Sequence, residues 1–147
     1  MAVFYMGVLM FVLVLRDGSH KDIEAPSLLD AMREALRRDA DLQIGGGPSR
    51  VMQHAEIREC LLLDRPGLFD EFYPGWKSPT AGEFRELLRL AELTGSKAGA
   101  LVGVPSGKIR KWVGGDGEVP YAVWRLLTIY AGLVEAKVRP KSNEITN

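Results

Sequence analysis

The chain has 147 residues, 46% hydrophobic and 26% charged, a composition that folds around a core as one ordinary domain or two small ones and excludes a chain unable to bury one. The net charge of zero hides an asymmetry: residues 1–77 carry 9 Lys and Arg against 12 Asp and Glu, and residues 78–147 carry 10 against 7. Any affinity for nucleic acid is therefore expected of the second half.

The first element is an apolar run, AVFYMGVLMFVLVL, ahead of Arg16. It lacks a basic leader, is too short for a membrane span, and its β-branched and aromatic content fits a buried strand. The run admits a start at either Met1 or Met10. Asp17-Gly18 is a hairpin dipeptide, and Lys21 to Ala25 can return as a second strand. In SLLDAMREALRRDA the residues Leu28, Leu29, Met32, Ala35 and Leu36 recur at helical spacing; Ser27 is placed to cap and Arg37-Arg38 fall in the last turn. IGGGPS, Ile44 to Ser49, breaks the pattern. RVMQHAEIRECLLLD, Arg50 to Asp64, fits neither period cleanly and admits a third strand or a helix, with strand preferred.

From Arg65 to Pro79, RPGLFDEFYPGWKSP mixes three prolines with aromatic side chains, as expected of a linker that packs rather than floats. Thr80 with Glu83 forms the capping box of a helix over TAGEFRELLRLAELTG, which is expected to end near Gly95. In LTGSKAGALVGVPSGKIRKW a single straight helix cannot hold Ala98, Gly99, Val102, Val104, Ile109 and Trp112 on one stripe, because Gly103 and Pro105 interrupt it. Two short helices with Gly103 at the corner are expected, Gly99 allowing their close approach and Ile109 and Trp112 anchoring the second. PYAVWRLLTIYAGLV supplies a last helix starting after Pro120, and RPKSNEITN a polar tail. Trp112 and Trp124 are expected in the core, and Tyr121 and Trp76 in partly buried packing or a dimer contact.

Gly99, Gly103, Val104, Ile109 and Trp112 stand in register with the helix-turn-helix of the λ-repressor/Cro-like (Xre) family: small residue, corner glycine, apolar residue, then two anchors. Residues 78–135 resemble that family, and GGDGEVPYAVWRLL is more weakly similar to regulators of phages and conjugative elements, including anti-CRISPR-associated repressors. Gly95 departs from the family, standing in place of its frequent phosphate-clamping glutamine. The resemblance implies binding to a duplex operator. A second helix lying in the major groove would expose Ser106, Gly107, Lys108, Arg110 and Lys111, three of them cationic. Arg110 has the guanidinium fork that engages guanine O6 and N7 together, Ser106 suits a base or phosphate, and Lys97, Lys108 and Lys111 suit phosphates.

The expected fold class is α+β: a small N-terminal α/β domain, hairpin plus helix, over residues 1–64, a linker over 65–79, an all-α helix-turn-helix domain over 80–136 and a flexible tail over 137–147. A homodimer is expected, since paired half-sites double the contacts of one small helix. The apolar first strand could pair across an exposed edge with a second copy or a protein partner. The rival reading is an antitoxin-like or inhibitor-like interaction module of a mobile element that reads little DNA. Cys60 alone can form no internal disulfide, which points to a cytoplasmic protein. His54-Ala55-Glu56 lacks the downstream cysteine pair of zinc deaminases, GGGPSR lacks phosphate-loop order, and neither His20 with Asp22 nor His54 with Cys60 has an orienting third group. No enzyme activity, metal or cofactor is expected, and no membrane.

Overall fold

A computed structural model describes residues 8–44 and 50–137. It is α+β: a four-stranded antiparallel sheet with two helices, followed by four helices. The apolar run before residue 8, the glycine-rich break over 45–49 and the tail from 138 lie outside the described residues.

Strand β1 (Leu9–Val14) pairs with β2 (His20–Ala25) from Leu9↔Ala25 to Val14↔His20. The turn closes as Leu15 donates to the Ser19 carbonyl at 2.9 Å, with Gly18 at φ +85°. Helix α1 (Leu28–Arg37) then crosses one sheet face, Ser27 accepting from the Asp30 amide as its cap. Ala31, Ala35 and Leu36 meet Leu13 there, all at most 1% exposed.

One strand is added to the sequence reading and another is cut short. β3 (Asp41–Ile44) pairs with β1, and β4 (Arg50–Met52) pairs with β3, giving the order β2-β1-β3-β4. β3 carries only Leu42 and Ile44 as apolar residues, too short an alternation to register before its partner is known. The segment Arg50 to Asp64 is strand only as far as Met52; it turns into helix α2 (His54–Cys60), fixed at its start by the His54 amide donating to Asp41 Oδ1 at 3.1 Å. Neither period fits because the segment changes period at Gln53. β1 is also internal, so the edge-pairing expected of it is not open; β2 and β4 are the edges.

Residues 65–79 pack against the last helix. Trp124 donates through Nε1 to the Leu68 carbonyl at 2.8 Å, Arg125 donates to the Phe69 carbonyl at 2.8 Å, and Trp76 meets Tyr121 edge-on at 5.2 Å. Helix α3 (Ala81–Leu90) starts on the complete Thr80/Glu83 capping box. It stops four residues short of Gly95: Glu92 turns left-handed at φ +56°, and Thr94 caps the next helix, which Gly95 begins. Helices α4 (Gly95–Val102), α5 (Ser106–Val113) and α6 (Tyr121–Tyr130) follow.

Sheet and helices share one apolar interior that runs from Leu13 and Leu42 through Leu87 and Leu90 to Trp124 and Leu127. Across it, Arg33 of α1 forms a two-bond fork with Glu86 of α3, at 2.7 and 3.0 Å, with side chains only 13% and 9% exposed. Arg37 extends the same seam, donating to the Arg89 and Leu90 carbonyls at the end of α3. A buried pair with such geometry punishes loss of one member more than its own net worth. Glu86→Ala is expected to destabilise the protein by on the order of 3 kcal/mol, and Thr80→Ala by about 1 kcal/mol through the lost cap. Urea unfolding followed by circular dichroism measures both, and a Glu86→Ala cost no larger than that of Thr80→Ala would remove the fork from its structural role.

Candidate nucleic-acid interface

The α4–α5 unit begins with a cap: Thr94 Oγ1 accepts from the Lys97 amide at 3.2 Å. α4 ends at Gly103, φ +73°, a left-handed corner that costs glycine nothing. The chain then doubles back so tightly that a Cβ at Gly99 would stand 2.4 Å from the Val104 carbonyl oxygen and 3.4 Å from the Ser106 nitrogen. Val104 returns its own amide to the Gly99 carbonyl at 2.9 Å. Only a glycine at 99 fits.

Pro105 precedes α5 with φ −57° and ψ 139°, and its carbonyl accepts from the Lys108 and Ile109 amides. Ile109 is fully buried and Trp112 is 4% exposed, meeting the Phe84 ring of α3 edge-on at 6.0 Å. With these two turned inward, the opposite face is set: Lys108, Arg110 and Lys111 are exposed, and Ser106 and Gly107 half-buried at the helix start. Lys97, on α4, is exposed as well. Among the described residues none of these four cations takes part in a salt bridge within 4 Å. The first turn of α5 carries no acidic residue.

The cations are not equivalent. Lys108 Nζ lies 5.8 Å from the Trp112 ring centre, a cation–π contact that holds it along the helix. Arg110 lies between two glycines: a Cβ at Gly95 would be 3.9 Å from its Cγ, and one at Gly107 3.7 Å from its Nη2. Its stem thus lies against the start of α4 and its guanidinium near the start of α5. Arg125 lies in the same cationic stretch of sequence but is used to hold the 65–79 segment through the Phe69 carbonyl.

Sequence reasoning missed Arg85. Its Nη1 donates at 2.7 Å to the carbonyl of Val113, the last residue of α5, where a helix leaves acceptors unsatisfied. Its only signal was a basic residue on a solvent face of α3, which has no spacing rule. It also missed the isolation of the Arg58 side chain, whose Nε has no hydrogen-bond partner among the described residues and whose guanidinium lies over the Phe69 ring at 4.8 Å. His54, Glu56 and Cys60 do not converge: Glu56 pairs with Arg50, and Cys60 is exposed at the far end of α2 from His54. Among the described residues no three His, Cys, Asp or Glu side chains come together as a metal site. No helix among them is long and apolar enough to cross a membrane.

A tight two-helix corner with an unpaired cationic face on its second helix, supported by a helix on either side, is an architecture suited to a polyanion. Over 61 residues, 40% of this chain, it is 54% identical to the transcriptional repressor protein KorC of Escherichia coli, spanning 72% of that protein; a second Escherichia coli KorC is 43% identical over 61 residues with the same coverage. The chain belongs to the KorC family of transcriptional repressors. No family model matches it, and no solved structure does.

The corner itself is testable. Gly99→Ala forces backbone apart at Val104 and is expected to cost about 1–3 kcal/mol, as overpacking does, whereas Gly107→Ala, whose Cβ meets only the mobile end of Arg110, is expected to leave stability within about 0.5 kcal/mol. Thermal unfolding of the two variants compares them; equal losses would contradict the assigned close approach.

Proposed function

We propose that the protein is a sequence-specific double-stranded DNA-binding repressor of a mobile-element or phage operon, acting in the cytoplasm, with α4–α5 as a helix-turn-helix of the λ-repressor/Cro type. The observation that carries this reading is the exposed, unpaired face of Lys108, Arg110 and Lys111 on a helix whose other face is locked by Ile109 and Trp112. Membership of the KorC repressor family supports it. In this reading α5 enters the major groove, Arg110 reads guanine, Ser106 and the first amides of α5 meet a phosphate, and Lys97, Lys108 and Lys111 neutralise the backbone. Residues 80–136 bind DNA, residues 1–64 form the accessory domain, and two copies engage two half-sites about one helical turn, or ~34 Å, apart.

The test is a gel shift with DNA from upstream of the protein's own gene across a salt series, with stoichiometry measured in parallel. The expected result is site-specific binding by two chains that weakens with salt. Arg110→Ala should lose about tenfold or more on the specific site and relax its preference over random DNA. Lys111→Ala should weaken both alike and lower the salt slope by about 1. Binding no tighter to the upstream site than to random DNA, with both variants silent, would leave the interaction-module reading in its place.

A further inference from the structure

A cavity of about 200 Å³ opens between the end of α1, helix α2 and the chain that follows α6, and none of its lining residues belongs to α4 or α5. Two buried nitrogens at this place have no hydrogen-bond partner among the described residues: Arg58 Nε and His54 Nδ1, one helical turn apart on α2. Unpaired buried donors of this kind are rare and call for an acceptor. Burial holds His54 below its ordinary pKa, helped by the charge of Arg58 and only partly opposed by Asp39; burial likewise lowers Arg58. Asp39, the carboxylate that opposes both shifts, is itself bonded by Arg16, and among the described residues neither nitrogen has an acceptor within hydrogen-bond distance.

The rest of the wall limits what can supply it. Asp39, held at φ +49°, lines the cavity with its carboxylate 3.7 Å from His54 Nδ1 and 3.2 Å from Arg16 Nη2, and Glu135 lines it as well. A simple anion such as phosphate meets two carboxylates as well as the guanidinium. A zwitterion meets neither problem, because its positive end has Asp39 and Glu135 and its negative end has Arg58 and His54. The remaining lining from Leu36, Leu133 and Val134 is apolar, and the volume suits a compact molecule.

We propose that this cavity binds a small zwitterion, a free α-amino acid with a compact apolar side chain: its carboxylate on Arg58 and His54, its ammonium on Asp39 and Glu135, its side chain against Leu36, Leu133 and Val134. The cavity is walled by α1 and α2 on one side and by the segment after α6 on the other, so the ligand bridges the sheet-bearing part and the last helix. The proposal does not depend on DNA binding, and its test contains no DNA.

The experiment is calorimetric titration and thermal unfolding of the full chain with L-alanine, L-valine and L-leucine. Isovalerate and isobutylamine, which are L-valine without its ammonium and without its carboxylate, serve as half-ligands beside inorganic phosphate. The expected result is saturable binding of at least one amino acid with a concentration-dependent rise in melting temperature, and at least about tenfold weaker binding of either half-ligand of L-valine where L-valine is bound. Arg58→Met, which removes the guanidinium and keeps an unbranched side chain, should weaken the bound amino acid at least about tenfold. Glu135→Gln, at an exposed position that spares the fold, should weaken the amino acid and leave isovalerate unchanged. No saturable amino-acid binding, phosphate binding at least as tightly as the amino acids, or full affinity in Glu135→Gln would each overturn it. Should Arg58→Met fail to fold by circular dichroism, the half-ligand series and Glu135→Gln decide alone.

Discussion

The constraint on which the helical part depends is the contact at Gly99. A carbonyl oxygen occupies the space where any other residue would place its Cβ, and that proximity fixes how α5 leaves α4. The same closeness lets the Val104 amide satisfy the Gly99 carbonyl, so one small residue resolves both a steric and a hydrogen-bonding requirement. From there Ile109 and Trp112 rotate α5 into the core, and Phe84 of α3 meets Trp112 edge-on. Arg85 closes the other end by bonding the Val113 carbonyl. α5 is thus held at both termini and along one face, and the orientation of its charged face follows from those restraints rather than from any contact the charges make.

The sheet-bearing part is joined to this unit by a different kind of interaction. Taking Arg33 and Glu86 out of water costs each its hydration, and the two-bond fork, with Asp30 as a third partner at 3.0 Å, is the geometry that offsets it. An apolar seam between α1 and α3 would tolerate sliding; a fork does not, because a shift of an ångström breaks both bonds. Arg37 adds the same directional demand at the last carbonyls of α3. The position of α1 relative to α3 is therefore specified by polar groups, and α1 in turn sets one wall of the cavity that Asp39, His54 and Arg58 share.

What was legible in the sequence was what depends on neighbours in sequence. The hairpin at Asp17-Gly18, the caps at Ser27 and Thr80, and the corner at Gly103 are local devices whose residues lie within a few positions of one another. β3 was not legible, because four residues are too short to show a period and its pairing is supplied by β1 and β4, whereas β4 is the opening of the strand expected from Arg50. α2 was hidden by its junction with β4 at Gln53. The end of α3 was overrun since Glu92, a good helix former, stands where the backbone turns left-handed, and nothing local marks a glutamate for φ +56°. The candidate cationic face was readable from spacing alone once Ile109 and Trp112 were taken as anchors. Arg85, Arg58 and the Arg33–Glu86 fork were not, because each is defined by a partner, or the lack of one, tens of residues away.

On the proposed reading of α5, the chemistry of discrimination rests on few atoms. Lys108 is drawn along the helix by Trp112, and Lys111 is a flexible point charge; both serve phosphates, which carry no sequence information. Ser106 and Gly107 contribute little reach. Arg110 is the one exposed side chain on α5 whose planar fork can select a base pair, and its course between Gly95 and Gly107 explains why glycines at those two places are compatible with that task. Side chains there would touch the stem or the guanidinium, whereas glycines leave the fork free to extend toward a base edge. One fork per helix gives a discrimination of about 1–3 kcal/mol at a single base pair, far less than the roughly 4–10 kcal/mol by which specific sites commonly exceed random DNA. The missing discrimination must come from a second copy of α5 at fixed spacing and from the shape of the intervening DNA. A single chain with this face would act as an electrostatic binder, and selectivity would belong to the assembly.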